Sequence, residues 1–428
     1  MSAFRPPRAA AAQLNPAART TVALLFAAWF VDYLDRLAIT FVLPSIGKEF
    51  GLDLGQQGLV ISVFFVAYAA SQLPGGMLAD RFGAKRVTCW ALLIWSLFTA
   101  LTGLSWSFAA LLVVRFTFGV AEGIFPPASA KALVERTTVA ERMGAQGIVM
   151  SASAVASVVA PLAVAPLAAA VGWRSSFFTI ALAGGVVYAA VRMWLPGPRD
   201  RSGAGGRPAA AAPVRAVLRT GVLWRFALMM SGYGAIAWGL TTWVPSYLSE
   251  QPGVSGVFAG LLMALPALGA ALATVWGGRL ADRYEGRHRK VIVPAMSVAA
   301  PALLLMAWAP GPVGALVFAT VAIFAAALCY MPIMAVPLRS FAPEESGIGS
   351  AVVVFGGQLA GVIAPPLLGL IAQTWSFRVA FAFLALGPVL TGLVALITPQ
   401  DTASYLAAAA RQRGRRTGAS TGPKTELS

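Results

Sequence analysis

GMLADRFGAKR (76–86) returns as GRLADRYEGRHRK (278–290), which sets Asp80 and Asp282 202 residues apart. Within two residues, the same offset carries Glu141 onto Glu345, Pro161 onto Pro365, Arg174 of GWRSSFF onto Arg378 of SFRVAFAF, and Pro44 of LPSI onto Pro245 of VPSY. Five landmarks in one order at one spacing mark an internal duplication. Each copy sets an acidic residue after Gly-x-Leu-Ala, followed by a run of bases. An aspartate beside arginines at a helix end suggests an ion pair that breaks when the chain changes conformation, so Asp80, Arg81, Asp282 and Arg283 are read as a gating set.

The sequence between these landmarks is apolar. Of 428 residues, 58% are hydrophobic and 11% charged, with mean hydropathy +0.76; a soluble domain is roughly a quarter charged. So few charges cannot cover a water-facing surface, whereas lipid-facing residues need no hydration. A helix crosses the bilayer core with about 20 apolar residues. Twelve runs qualify, at 21–43, 57–79, 87–104, 107–129, 144–170, 175–195, 222–243, 256–278, 291–309, 312–336, 347–372 and 378–398. None shows the alternation of a membrane β-barrel. The reading is an all-α membrane protein of twelve transmembrane helices in two six-helix pseudo-symmetric halves. The expected divisions are an N-tail (1–20), an N-terminal half (21–195), a flexible linker rich in Pro, Gly and Ala (196–220), a C-terminal half (221–398) and a polar, disordered C-tail (399–428). No cleavable signal peptide is evident, because the first apolar run is long enough to stay as a span.

The net charge of +16 is spread over short loops, a pattern of membrane topology and not of nucleic-acid binding. Of 32 Lys and Arg, 27 fall in the tails and the loops on one side, and Lys48, Arg174 and Arg378 on the other. The positive-inside rule puts both termini in the cytoplasm, with a bacterial inner membrane as the expected location. Two cysteines inside apolar runs and the single His288 exclude a disulfide framework and a thiol or histidine metal cluster. No cofactor is expected, and no constellation for an embedded enzyme is present. The partners expected are the bilayer, a small solute and protons, for a chain acting as a monomer.

Charge inside a span costs about 2.5–3.5 kcal/mol per residue even on lenient scales. Here such residues cluster in one copy: Asp32, Asp35 and Arg36 in WFVDYLDRLAIT, and Arg115 and Glu122 in VVRFTFGVAEGIFPP. The first three, at i, i+3 and i+4, lie close to one helical face; the last two, seven apart, share another. Guanidinium forks match carboxylate or sulfonate oxygens. A carboxyl in such a place exchanges protons as its surroundings change, which links bound anion to bound proton. The alternative is that the charges only pair with one another and lock the two helices. Tyr33, Tyr68, Ser153 and Gln358 are polar residues that line the site or satisfy helix–helix hydrogen bonds.

At this point the chain resembles the major facilitator superfamily: the duplicated GxLADR loop, twelve spans and a long central loop cover about 20–398. DYLDR, Tyr68 followed by QLPGG, and RFTFGVAEGIFPPASAK resemble its anion:cation symporter family. That resemblance implies a secondary transporter that imports an organic anion with protons. It implies Asp35 and Glu122 as proton-coupling acids, joined here by Asp32, which stands where the family often has Asn. It implies Arg36 and Arg115 as anion partners, with Tyr33 and Tyr68 lining the site. Met334 and Val354 replace the Trp and Asn of sugar-acid members, which favours a smaller, less hydroxylated anion. The competing readings are an exporter of amphipathic compounds or drugs, and a membrane sensor without flux.

Overall fold

The computed structural model describes residues 14–197, 217–254, 256–341 and 346–418. Most of the expected linker, and residues 1–13 of the N-tail, lie outside them. The helices are α1 (Pro16–Phe50), α2 (Leu54–Phe82), α3 (Ala84–Gly103), α4 (Phe108–Arg136), α5 (Val139–Val171), α6 (Trp173–Trp194), α7 (Gly221–Ser249), α8 (Gly256–Arg283), α9 (Arg289–Trp308), α10 (Gly311–Leu328), α11 (Tyr330–Ser340), α12 (Ser346–Thr374), α13 (Phe377–Phe383), α14 (Leu386–Ile397) and α15 (Thr402–Gly418). No strand occurs among the described residues.

Local sequence explains where they start and stop. Asp53 and Thr138 each form a capping box, with Gln56 and Glu141 reaching back to the cap backbone. Gly51 ends α1 in the left-handed region, φ 64°. The expected spans 312–336 and 378–398 are each broken, into α10 and α11 at Cys329 and into α13 and α14 at Leu384–Ala385. The cause is Pro332 and Pro388, which lack the N–H that would bond the carbonyls of Leu328 and Leu384 four residues back.

Among the described residues, ten segments are long and apolar enough to cross a membrane. They are α2 to α6, α8, α9, α10 with α11, α12, and α13 with α14. The long helices α1 and α7 fall short, α1 because of Asp32, Asp35 and Arg36, and α7 because it is rich in Gly, Ser, Thr, Tyr and Trp. Leu73, Leu182 and Val186 are 76%, 71% and 62% exposed, which lipid tolerates and water does not. This is a multi-pass membrane protein.

The apolar core is in two parts, one built from residues between Val22 and Leu195, the other from residues between Val217 and Tyr405. Polar contacts tie the helix ends together on two faces. On the basic face, Lys85 donates to the Leu195 carbonyl, Arg136 to that of Pro196, and Arg289 to those of Ala395 and Thr398. On the opposite face, Arg174 pairs with Glu49 and donates to the Ser105 carbonyl.

The two parts meet toward the opposite face. The Leu54 amide donates to Gln373 at 3.1 Å and the Ser62 hydroxyl to the Val362 carbonyl. Phe65 meets Trp238 edge-on, ring centroids 4.5 Å apart. Gly58 of α2 lies against Pro365 and Pro366 of α12, and Gly260 of α8 against the Pro161 carbonyl of α5. A methyl group at Gly58 would stand 2.5 Å from the Pro366 Cα, so only glycine permits this approach. Gly58 and Gly260 are 202 residues apart, and Pro161 and Pro365 204 apart, so the two seams use equivalent positions of the duplication.

One expectation fails at the C-terminus. Residues 399–428 were expected without structure, yet Thr402–Gly418 form α15. Tyr405 explains it: the ring is 4% exposed and packs near Phe226 and Phe341, with centroids 6.0 and 6.3 Å away. His288 is buried against the same Phe226 at 5.7 Å, and burial pushes its imidazole down to about 4, so it is neutral there.

The seams yield a prediction. Gly58→Val and Gly260→Val each overpack a proline contact, at about 1–3 kcal/mol. In a background without Cys89 and Cys329, a cysteine replacing Phe41, which packs against both cores, should then react faster with an impermeant maleimide added on the opposite face. An unchanged rate would mean that these glycines do not set the seam.

Candidate functional site

α1 presents Asp32, Asp35 and Arg36 midway along its length, and α4 presents Arg115 and Glu122. All five are at most 4% exposed. α4 comes close because Gly119 and Gly123 lie flat on α2 at Phe64 and Tyr68, the small-residue packing that membrane helices use. Those glycines bracket Glu122 and hold it over α1.

The ion pairing is unequal. Glu122 takes Arg36 through one oxygen: Oε2 accepts from Nε at 3.0 Å and from Nη2 at 2.9 Å. The same Nη2 donates to Asp32 Oδ2 at 3.0 Å. The Arg36 Cζ lies 4.8 Å from the Tyr33 ring centre, 4.5 Å from that of Tyr68 and 5.4 Å from that of Phe64. Arg36 is thus held by two carboxylates inside an aromatic cage. It is not a free cation, as an anion partner read from sequence would be.

Arg115 is different. Its guanidinium lies over Phe118 at 4.3 Å and Phe64 at 5.4 Å, so Phe64 stands between the two arginines. Its Nε and Nη1 are buried and have no hydrogen-bond partner among the described residues. Asp35 and Glu122 are its electrostatic neighbours, but among the described residues it forms no ion pair. Asp35 turns toward α3, where the Thr99 hydroxyl donates to its Oδ2. One oxygen of each acid, Asp32 Oδ1, Asp35 Oδ1 and Glu122 Oε1, is buried without a partner among the described residues. The cluster therefore has donors and acceptors to spare for a small polar solute and for protons.

The structure gathers seven of the residues expected at the site: Asp32, Tyr33, Asp35, Arg36, Tyr68, Arg115 and Glu122. Ser153 is not brought to the cluster by any contact found; its hydroxyl donates to the Met150 carbonyl of its own helix at 2.8 Å. Gln358 sits on α12, half-buried, its Oε1 without a partner. The gating residues pair differently from expectation. Asp80 bonds Lys131 of α4 at 2.8 Å and Asp282 bonds Arg339 of α11 at 2.9 Å, because those bases project from neighbouring helix ends while Arg81 and Arg283 extend outward, exposed.

Sequence reasoning missed Thr99, Phe64 and Phe118. It also missed Tyr233 and Tyr330 of the other core, whose rings are 5.5 Å apart and which lie near Tyr33. No motif marks them; only their placement across the interface does.

Helices sealed along one seam around a buried charge cluster define a multi-pass transporter fold. The model of the Major Facilitator Superfamily matches residues 25–287 and 246–423. The chain belongs to that superfamily, and is a membrane transporter and not an enzyme. Among its relatives is a probable sulfoacetate transporter of Cupriavidus necator, 31% identical over 377 residues, covering 82% of this chain and 87% of the relative. A probable galactarate/D-glucarate transporter of Escherichia coli is 27% identical over 427 residues, covering 89% and 93%. A hexuronate transporter of Bacillus subtilis is 25% identical over 385 residues, covering 84% and 89%. Among solved structures, a bacterial homologue of the human lysosomal transporter Spinster, inward-facing and unoccupied, superposes with TM-score 0.76 at 20% identity, covering 94% of this chain and 98% of that one.

Removing one side of a buried ion pair costs about 3–5 kcal/mol. Arg36→Leu should therefore lower the melting temperature of the purified protein sharply, and adding Asp32→Asn and Glu122→Gln should restore much of it. Equal stability of Arg36→Leu and the wild type would show that the carboxyls do not depend on Arg36.

Proposed function

We propose that this chain is a secondary active transporter that imports a small organic anion, a carboxylate or a sulfonate, by proton-coupled alternating access. The observation that carries the reading is the buried cluster of two guanidinium groups and three carboxyls. Fully ionised, these five sum to one negative charge. An anion drawn to the unpartnered donors of Arg115 makes the sum more negative in a low-dielectric site, and protons on the carboxyls offset it. Asp35 and Glu122 are the first acids to serve, with Asp32 beside them; bound anion and bound proton then favour each other.

The relatives named above carry organic acids in their names, which supports the substrate class. The other face of the site offers Tyr233, Tyr330 and, buried in its core, Met334. Such a surface suits a compact anion with few hydroxyls better than a sugar acid. Tyr33 and Tyr68 line the substrate side of Arg36, and Gln358 is the polar residue nearest in kind on α12; Ser153 keeps at most a helix-packing role.

Twelve spans in two six-helix halves, 21–195 and 221–398, joined by the linker 196–220, fit the duplication. With the basic face cytoplasmic, both termini lie inside a bacterial inner membrane. The glycine–proline seams then close the outer side, and the charge cluster is reached from the cytoplasm. Asp80–Lys131 and Asp282–Arg339 sit on the cytoplasmic rim, where ion pairs between helix ends bias the rocking of the halves. The chain works as a monomer.

Labelled sulfoacetate uptake into proteoliposomes tests this. An inside-alkaline gradient should drive accumulation, a protonophore should abolish it, and Arg115→Ala should reduce uptake to background. Uptake indifferent to the gradient would contradict coupling, and full uptake by Arg115→Ala would remove Arg115 from the site.

A further inference from the structure

Asp32 does something that neither Asp35 nor Glu122 does: it occupies part of Arg36 with a single hydrogen bond. Nη2 carries two hydrogens, one given to Glu122 and one to Asp32 Oδ2. Glu122 holds Arg36 at two nitrogens, from a different helix. Asp32 holds it at one, from one turn earlier on the same helix. Its own second oxygen, Oδ1, is buried and unpartnered. Of the two contacts, that of Asp32 is the simpler to release.

We propose that Asp32 is a tethered competitor of the substrate. Ionised, its carboxylate fills the Nη2 position of Arg36 where an incoming carboxylate or sulfonate oxygen would bind, and its charge repels that anion. A proton taken from solvent onto Asp32 Oδ1 removes the charge and leaves Oδ2 a neutral carbonyl oxygen, a weaker acceptor that an anionic oxygen displaces from Nη2–H. The freed Nη2–H is given to the anion, and the new Asp32 hydroxyl is a second donor to it. While Asp32 holds its proton, the contact with Glu122 still neutralises Arg36, so this step leaves no buried cation unpaired.

The groups that face Asp32 are consistent with this. On α1 they are Asp35, Arg36 and Tyr33; α2 adds Tyr68, and α4 adds Arg115 and Glu122. Among the described residues, the other helices against α1 bring no ionisable group nearer their middles than Tyr188 of α6 and Tyr233 of α7. Acid neighbours Asp35 and Glu122 oppose ionisation of Asp32, and Arg36 favours it, so its protonation is set within the cluster. Tyr33, half-buried beside it, lies near Tyr233 and Tyr330 of the other core.

The inference rests on the organic-anion reading and separates from it experimentally. Sulfoacetate binding to the purified wild-type protein and to Asp32→Asn is measured by titration calorimetry between pH 5.5 and 8, in buffers of differing ionisation enthalpy, which counts the protons taken up. One linked proton changes affinity by about tenfold per pH unit. Asp32→Asn should bind at least about tenfold tighter than wild type at pH 8 and take up one proton fewer per anion. Asp32→Glu should restore the wild-type pH dependence. A residue that merely props Arg36 in place would give the opposite sign: weaker binding by Asp32→Asn would overturn the proposal. Unchanged affinity and proton count would overturn it too. If the wild type binds neither sulfoacetate nor D-glucarate, the organic-anion reading falls, and this inference with it.

Discussion

The buried guanidinium of Arg36, shared between Glu122 and Asp32, is the constraint on which the rest of the structure turns. A lone buried charge is costly, and α4 brings Glu122 to it beside Asp32 of α1. That requires α4 to lie close, which Gly119 and Gly123 allow against Phe64 and Tyr68 of α2. The same packing buries Arg115 beside Phe64 and leaves its donors unfilled. One cluster thus serves both stability and the proposed function: the helices that meet to neutralise Arg36 also gather three carboxyls and a second guanidinium, the groups to which the proposal assigns protons and the anion.

The cluster is confined to the core formed by residues 22–195. The proposed rocking of the two cores would therefore leave these ion pairs intact. What joins them toward the opposite face is light: two hydrogen bonds, aromatic contacts and two glycine–proline seams. Contacts made of backbone proximity and not of buried charge separate at low cost, as a gate must. The unequal chemistry of the two cores, charged in one and aromatic in the other, gives a solute a polar anchor on one side and an apolar wall on the other.

Much of this was legible in the sequence. Hydropathy marks spans because lipid selects composition, and the duplicated LADR loops and the one-sided arginines need no partners to be read. Asp32, Asp35, Arg36, Arg115 and Glu122 stood out because charge in an apolar run is anomalous by itself. Who pairs with whom was not legible. Arg36 is held by Glu122 and Asp32, and Asp80 bonds Lys131 of another helix, pairings that spacing along the chain does not name. Thr99, Tyr233 and Tyr330 are ordinary residues in membrane helices, and only the crossing of helices makes them neighbours of the site. Pro332 and Pro388 lie where helices break, while Pro44, Pro161 and Pro245 run through them, so proline in the sequence alone does not mark the breaks. In the C-tail, the aromatic anchor Tyr405 outweighs a polar, basic context.

The central claim is that the buried cluster binds an anion and protons as a linked pair. Anion-driven proton movement tests it most directly. Proteoliposomes holding a trapped pH dye, with no gradient imposed, receive sulfoacetate from outside. The account predicts that the lumen acidifies as the anion enters, and that Glu122→Gln, which removes one of the acids, diminishes the signal. Sulfoacetate entry with a steady luminal pH would contradict it.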